Sequence, residues 1–222
     1  MRENRLMVPP RHHRPTRHAP GKAAAATGSV RIIAGVWRGS KLPVADVPGL
    51  RPSSDRVRET LFNWLQPMLA RACVLDAFAG TGALGLEAAS RGARKVVLIE
   101  QQPDLAASLR TQVERLARGG GAGEVEIVHD DALRWLARPA RERFDLVLLD
   151  PPFAADLWQP ALAVLQPWLA ADALLYLEMP RNAVHEPGPG WLLHRQGQTR
   201  DVRFALYRRD AATLATIPAQ AG

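Results

Sequence analysis

Residues 73–85 read CVLDAFAGTGALG: a short apolar run, an acid, then glycines at positions 80, 82 and 85. The apolar run is a strand candidate, and the three glycines spell G-x-G-x-x-G at the opening of a helical pattern. A strand that turns through such a loop into a helix is the first half of a βαβ unit. The alternation then repeats. Apolar runs at 95–100 (KVVLIE), 125–129 (VEIVH), 144–150 (FDLVLLD) and 173–178 (ALLYLE) are separated by helical segments near 83–91, 103–118, 131–138 and 156–168. This rhythm predicts a parallel α/β sheet covered by helices on both faces. After residue 190 the runs WLLHRQ and VRFALYRR are joined by only a short link, which predicts a terminal antiparallel pair.

Outward from this body, SSDRVRETLFNWL (53–65) predicts a helix. Ser53 or Ser54 can cap it, Asp55 suits its first turn, and Val57, Leu61, Trp64 and Leu65 form an apolar stripe. VRIIAGVWRGSKLPV (30–44) predicts a β-hairpin around a Trp-Arg-Gly-Ser turn. Residues 1–29, rich in Pro, Arg, His and Ala, show neither period and are expected to form a disordered basic arm. The expected organisation is therefore arm 1–29, hairpin and helix 30–66, α/β body 67–209 and a frayed tail 210–222.

Composition excludes some classes and favours others. No apolar run approaches the roughly 18 residues of a membrane span, and the N-terminus lacks the apolar core of a secretory signal. The single cysteine, Cys73, allows no disulfide within the chain and is expected to be a core residue of a protein in a reducing cytoplasm. Of a net surplus of seven positive charges, eight fall in residues 1–66, and the remainder is one short of neutral. A positive end on a near-neutral body suits a polyanionic partner or a merely solvated tail, and charge leaves both open. His12, His13 and His18 have no Cys or acid set around them, so no metal site is expected.

The glycine loop could serve two cofactors. Glu100 ends the next strand, twenty residues after Gly80, where an acid grips ribose hydroxyls in dinucleotide-binding folds. Asp76 decides between them. It stands at the carboxyl end of the strand, where a carboxylate would repel a pyrophosphate but attract the ammonium of a methionine moiety. The loop residues Ala79, Gly80, Thr81 and Gly82 therefore favour S-adenosylmethionine over NAD. After the third strand, His129-Asp130-Asp131-Ala132 places Asp131, beside Ala132, where an adenine amino group would lie.

LLDPPF (148–153) poses the second question: why a strand should end in a carboxylate, two prolines and a ring. Prolines cannot continue a sheet, so Asp150 sits at the strand's tip. If the first and fourth strands are neighbours, Asp150 stands beside the cofactor loop. An exocyclic amine on a nucleobase is a poor nucleophile because its lone pair is delocalised. Asp150 and the Pro151 carbonyl can accept its two N–H bonds, Pro152 helps to fix that carbonyl, and Phe153 offers a face for the base. The competing reading is a strand-end turn with a capping acid and a core Phe. The chemistry alone leaves adenine N6, cytosine N4 and guanine N2 open.

LLDPPF resembles the [D/N]-P-P-[F/Y/W] signature of amino-methyltransferases acting on nucleic acids, and DAFAGTG resembles their cofactor loop. Together with RIIAGVWRGSKLPV and RPSSDRVRETLFNWL, residues 30–209 resemble the bacterial RsmD family. The resemblance implies a Rossmann-like class I methyltransferase fold, with a seven-stranded mostly parallel sheet and an N-terminal hairpin. It also implies methylation of guanine N2, at position 966, in 16S ribosomal RNA within a small-subunit particle; a cytoplasmic protein is expected from the cysteine count, and a monomer is the default expectation. By the same resemblance Arg31, Trp37, Arg38 and Lys41 would face RNA, and Arg51 and Ser53 would lie near the cofactor's carboxylate. Trp37 could equally pack the hairpin onto the body. Three rival readings remain at this point: an adenine-N6 enzyme, a noncatalytic RNA-binding protein on this scaffold, and an NAD-dependent oxidoreductase. Asp76 and DPPF count against the last.

Overall fold

The computed structural model describes residues 26–45 and 53–210. The body is a seven-stranded sheet built from β3 (Cys73–Asp76), β4 (Lys95–Glu100), β5 (Glu124–His129), β6 (Phe144–Leu149), β7 (Leu169–Pro180), β8 (Trp191–Gln198) and β9 (Val202–Arg209). The strand order is β5-β4-β3-β6-β7-β9-β8. The first five run parallel, and β9 lies antiparallel to both β7 and β8, closing the sheet with the expected hairpin.

Alternate residues of each inner strand feed two separate cores. Val74, Val96, Leu98, Leu146, Leu148 and Tyr176 pack on one face, under α1 (Asp55–Leu69), α2 (Ala83–Ser90) and α3 (Pro103–Ala117). Leu75, Val97, Ile99, Val147, Leu149 and Leu177 pack on the other, against α4 (Ala132–Leu136) and α5 (Trp158–Leu165). Each such side chain contributes about 1.5–3 kcal/mol by leaving water. Burial on both faces is why these strands read as unbroken apolar runs. No helix among the described residues is long and apolar enough to cross a membrane.

β1 (Ala26–Arg31) and β2 (Lys41–Ala45) form the hairpin, paired from Arg31↔Lys41 outward. The first strand begins inside the stretch 1–29 assigned to the disordered arm, so residues 26–29 are corrected to strand; residues 1–25 lie outside the described residues. Cross-strand pairing supplies order that composition alone did not reveal. Trp37 is also corrected as an RNA-facing residue: it is 5 % exposed and belongs to the core shared by Ile32, Leu42 and α1. Glu87 of α2 accepts hydrogen bonds from Ile33 N and Ala34 N at 2.7 and 3.0 Å, and Ser90 Oγ accepts from Trp37 N at 2.9 Å. These contacts clamp the hairpin loop to the body. Arg31, Arg38 and Lys41 remain exposed. Ser54, not Ser53, caps α1, its Oγ accepting from Val57 N.

Candidate active site

The carboxyl ends of β3, β4 and β6 and the loops that leave them surround one cavity of about 400 Å³, within the usual size range of small-molecule sites. Its wall includes Asp76, Ala79, Gly80 and Thr81 of the glycine loop, Glu100, Asp131 and Ala132, and the whole Asp150–Phe153 motif. Two motifs separated by about 70 residues therefore face one space. The register explains it: Asp76 pairs with Leu148 on the neighbouring strand, so Asp150 extends two residues beyond it.

The loop is shaped by backbone demands. Gly82 caps α2 at φ +76, and a Cβ there would lie 2.6 Å from Leu109. Gly85 donates its N–H to Asp76 Oδ2 at 2.9 Å, and a Cβ on Gly85 would press that same oxygen at 3.0 Å. Glu100 fastens the other side of the loop: its Oε2 accepts from Gly80 N at 2.9 Å and its Oε1 from Gln102 N at 2.7 Å. Burial pushes the Asp76 carboxyl up to about 7, against the opposing Gly85 N–H, and burial also raises Glu100. An acid this dry, with no salt bridge among the described residues, favours a cation beside it and opposes a phosphate. The ammonium of S-adenosylmethionine fits that donor set, and the pyrophosphate of NAD does not.

The two adjacent aspartates have separate tasks. Asp130 is buried and bound by Arg134 and Arg138, and the Arg134 hydrogen bonds hold its carboxyl below the usual range. Asp131 caps α4 by accepting Arg134 N on Oδ1 at 2.8 Å. Asp130 is thus spent on its arginines, and Asp131 is the better placed of the two for an adenine amine.

At DPPF the chain turns at once into a 3-10 turn, Phe153–Ala155, closed by Ala155 N donating to the Pro152 carbonyl at 2.9 Å. No donor among the described residues reaches the Pro151 carbonyl. The motif therefore leaves the acceptor that an amine would need. Phe153 is 41 % exposed, tilted against Trp158 with ring centroids 6.0 Å apart. It is an open face at the cavity's rim, not the core ring of the competing reading.

Ser53 lines the cavity, but its hydroxyl contacts two acids: Asp150 Oδ2 at 3.1 Å and Glu178 Oε2 at 2.7 Å. The hydroxyl is thus engaged with the two acids, while Ser53 keeps its expected place on the cavity wall. Arg51 lies outside the described residues. Glu178 was missed in the sequence, although it ends the apolar run of β7 just as Asp150 follows that of β6, and Leu149 pairs with Leu177 beside it. Among the described residues no cluster of His, Cys, Asp and Glu is arranged to hold a metal.

Known proteins share the sequence and the fold of this chain. The chain is 43 % identical to ribosomal RNA small subunit methyltransferase D of Escherichia coli K12 over 84 % of its length and 93 % of the relative's. It is 41 % identical to the Haemophilus influenzae protein of the same name, over 82 % of this chain and 95 % of that one. The solved structure of yhhF from Escherichia coli, described as a methyltransferase, superposes with a TM-score of 0.75 at 41 % identity, covering 83 % of this chain and 99 % of that one. A structure of Trm1 from Pyrococcus horikoshii, solved with S-adenosyl-L-methionine, shares the fold at a TM-score of 0.65 and 18 % identity, over 85 % and 63 % of the two chains. The family described as Conserved hypothetical protein 95 matches residues 30–208, and the chain belongs to this family, the RsmD family of the relatives above.

Proposed function

We propose that this protein is an S-adenosylmethionine-dependent methyltransferase that modifies the N2 amine of a guanine in small-subunit ribosomal RNA. One observation carries the reading: a dry acid suited to a cation and a pair of amine acceptors, Asp150 and the Pro151 carbonyl, line the same cavity. The relatives' names, which specify small-subunit ribosomal RNA, support the substrate class. The choice of guanine N2, of position 966 and of a particle substrate follows the family resemblance, while the cytoplasmic setting follows from the single cysteine and a monomer is the default.

When bound, the cofactor supplies an electrophilic methyl group on a sulfonium. The chain's own residues do the rest. Asp76 meets the ammonium, Glu100 the ribose and Asp131 the adenine. Asp150 and the Pro151 carbonyl accept the two N–H groups of the guanine amine, which draws the nitrogen towards a tetrahedral shape and aims its lone pair into the cavity. Phe153 stacks on the base, which must leave its own stack at a cost of roughly a few kcal/mol. Holding the two reactants in line accounts for most of the acceleration.

Two measurements test this. Labelled-methyl transfer to ribosomal RNA and small subunits from a strain lacking the enzyme, with the product base identified by mass, should yield N2-methylguanine; N6-methyladenine would refute the assignment. Asp150→Ala should lower kcat by about 10²–10⁴-fold while calorimetry still detects cofactor binding. Retained turnover would remove Asp150 from its role.

A further inference from the structure

The Ser53 hydroxyl has one hydrogen and two carboxyl neighbours. It lies 2.7 Å from Glu178 Oε2 and 3.1 Å from Asp150 Oδ2. It can donate to only one of them. The other contact is a hydrogen bond only if that carboxyl oxygen is itself the donor, and therefore protonated. Tyr176 cannot change the count, because its own O–H already donates to Glu178 Oε2 at 2.7 Å. No Lys or Arg among the described residues pairs with either acid. The charged groups that do face the pair are Asp76 from β3 and the two acids themselves.

We propose that Glu178 is a positioning residue for methyl transfer: with the cofactor bound it holds, through Ser53, the single proton shared with Asp150, and so leaves Asp150 ionised towards the amine. The proposal rests on the function proposed above. The chain of donors then runs Tyr176 O–H to Glu178, Glu178 O–H to Ser53, and Ser53 O–H to Asp150. Glu178 is 3 % exposed and is anchored by Trp158 Nε1, which donates to its backbone carbonyl at 2.9 Å. Asp150 opens on the cavity. A cation brought into that cavity therefore draws the one negative charge to Asp150 and leaves the neutral acid in the more enclosed position. Burial raises both carboxyls, and the charge of Glu178 adds to the rise at Asp150, which accords with one shared proton.

The charge balance closes on this arrangement. The amine lone pair forms the N–C bond, the C–S bonding pair stays on sulfur, and the nitrogen's surplus proton passes to Asp150. One positive and one negative charge vanish together, leaving two neutral acids in a dry pocket. Two ionised carboxylates would instead leave a buried anion behind.

The test is infrared spectroscopy of the full chain with S-adenosylmethionine bound, at pH 7, compared with Glu178→Gln. The wild-type minus variant difference should contain the C=O stretch of a protonated carboxyl. A difference holding only the bands of an ionised glutamate overturns the proposal, whatever the RNA substrate proves to be. Kinetics supply a second arm. Glutamine mimics the protonated acid, so Glu178→Gln should keep kcat within about tenfold while Glu178→Leu loses about 10²-fold or more, with cofactor affinity retained in both. Equal losses in the two variants also overturn it. Absence of transfer by wild type would instead refute the proposed function and leave the spectroscopic result to decide the proton's place.

Discussion

At the scale of single residues, the site is governed by how little water its acids see. Asp76 is the simplest case. Its carboxyl is raised to about 7 by burial, so below that pH the cofactor-free protein carries it protonated. A bound ammonium requires it ionised. Cofactor association should therefore release about one proton at pH 6 and almost none at pH 8. Its association constant should rise nearly tenfold per pH unit up to about 7 and then level off. Calorimetry in buffers of different ionisation heat reads both, and a flat profile would separate Asp76 from the ammonium. Asp76 and Asp150 were legible in the sequence because each stands directly at the end of an apolar run, where a strand tip turns it towards the crevice. Glu178 stands two residues before the end of β7 with no motif around it, and its meaning depends on Ser53, 125 residues away. Such a contact is written in no local pattern.

Among the elements, the strands of the body were legible and the hairpin only half so. Parallel strands buried on both faces announce themselves, and β4 falls on the residues expected, 95–100. β7 begins at Leu169, four residues before its expected start, because Ala170, Ala171 and Asp172 have little strand propensity and are ordered by the pairing of Leu169 with Phe144. Trp37 needed the same kind of information: whether a hairpin tryptophan faces solvent or core is set by what the hairpin docks against. That docking depends on Glu87, fully buried, which accepts two hairpin N–H groups and pairs with Arg91 at 2.6 Å and Arg58 at 3.6 Å. Arg58 is itself 0 % exposed and donates to the Arg31 carbonyl at 2.8 Å. Glu87→Ala would strip a buried cation of an acid and two buried N–H groups of their acceptor. It should cost about 3–5 kcal/mol in urea unfolding, whereas Arg31→Ala on the exposed strand should stay within about 0.5 kcal/mol. Similar costs for both would mean that the hairpin is held by its apolar contacts alone.

Across the whole molecule, the two features that charge alone could not connect are the basic N-terminal portion and the acidic cavity. The fold brings them together through Ser53, which lines the cavity and also a neighbouring hollow formed by Gly28, Arg31, Lys41 and Asp55. Exposed Arg31 and Lys41 line this second hollow, which shares Ser53 with the cavity that holds Asp150. Residues 1–25, which hold six basic residues and one acid, lead directly into that hairpin. Their contribution is separable, because a cut before Ala26 leaves β1 intact while a cut at residue 29 would remove half of it. Deleting residues 1–25 should lower the slope of log K against log salt for RNA binding by about 0.7–0.9 for every phosphate that the arm neutralises. KM for the RNA should rise and kcat at saturation should hold, since no residue of the cavity is touched. A slope equal to that of the full chain would confine the phosphate contacts to the hairpin and body, and neutralising Arg31, Arg38 and Lys41 together would then have to flatten it instead.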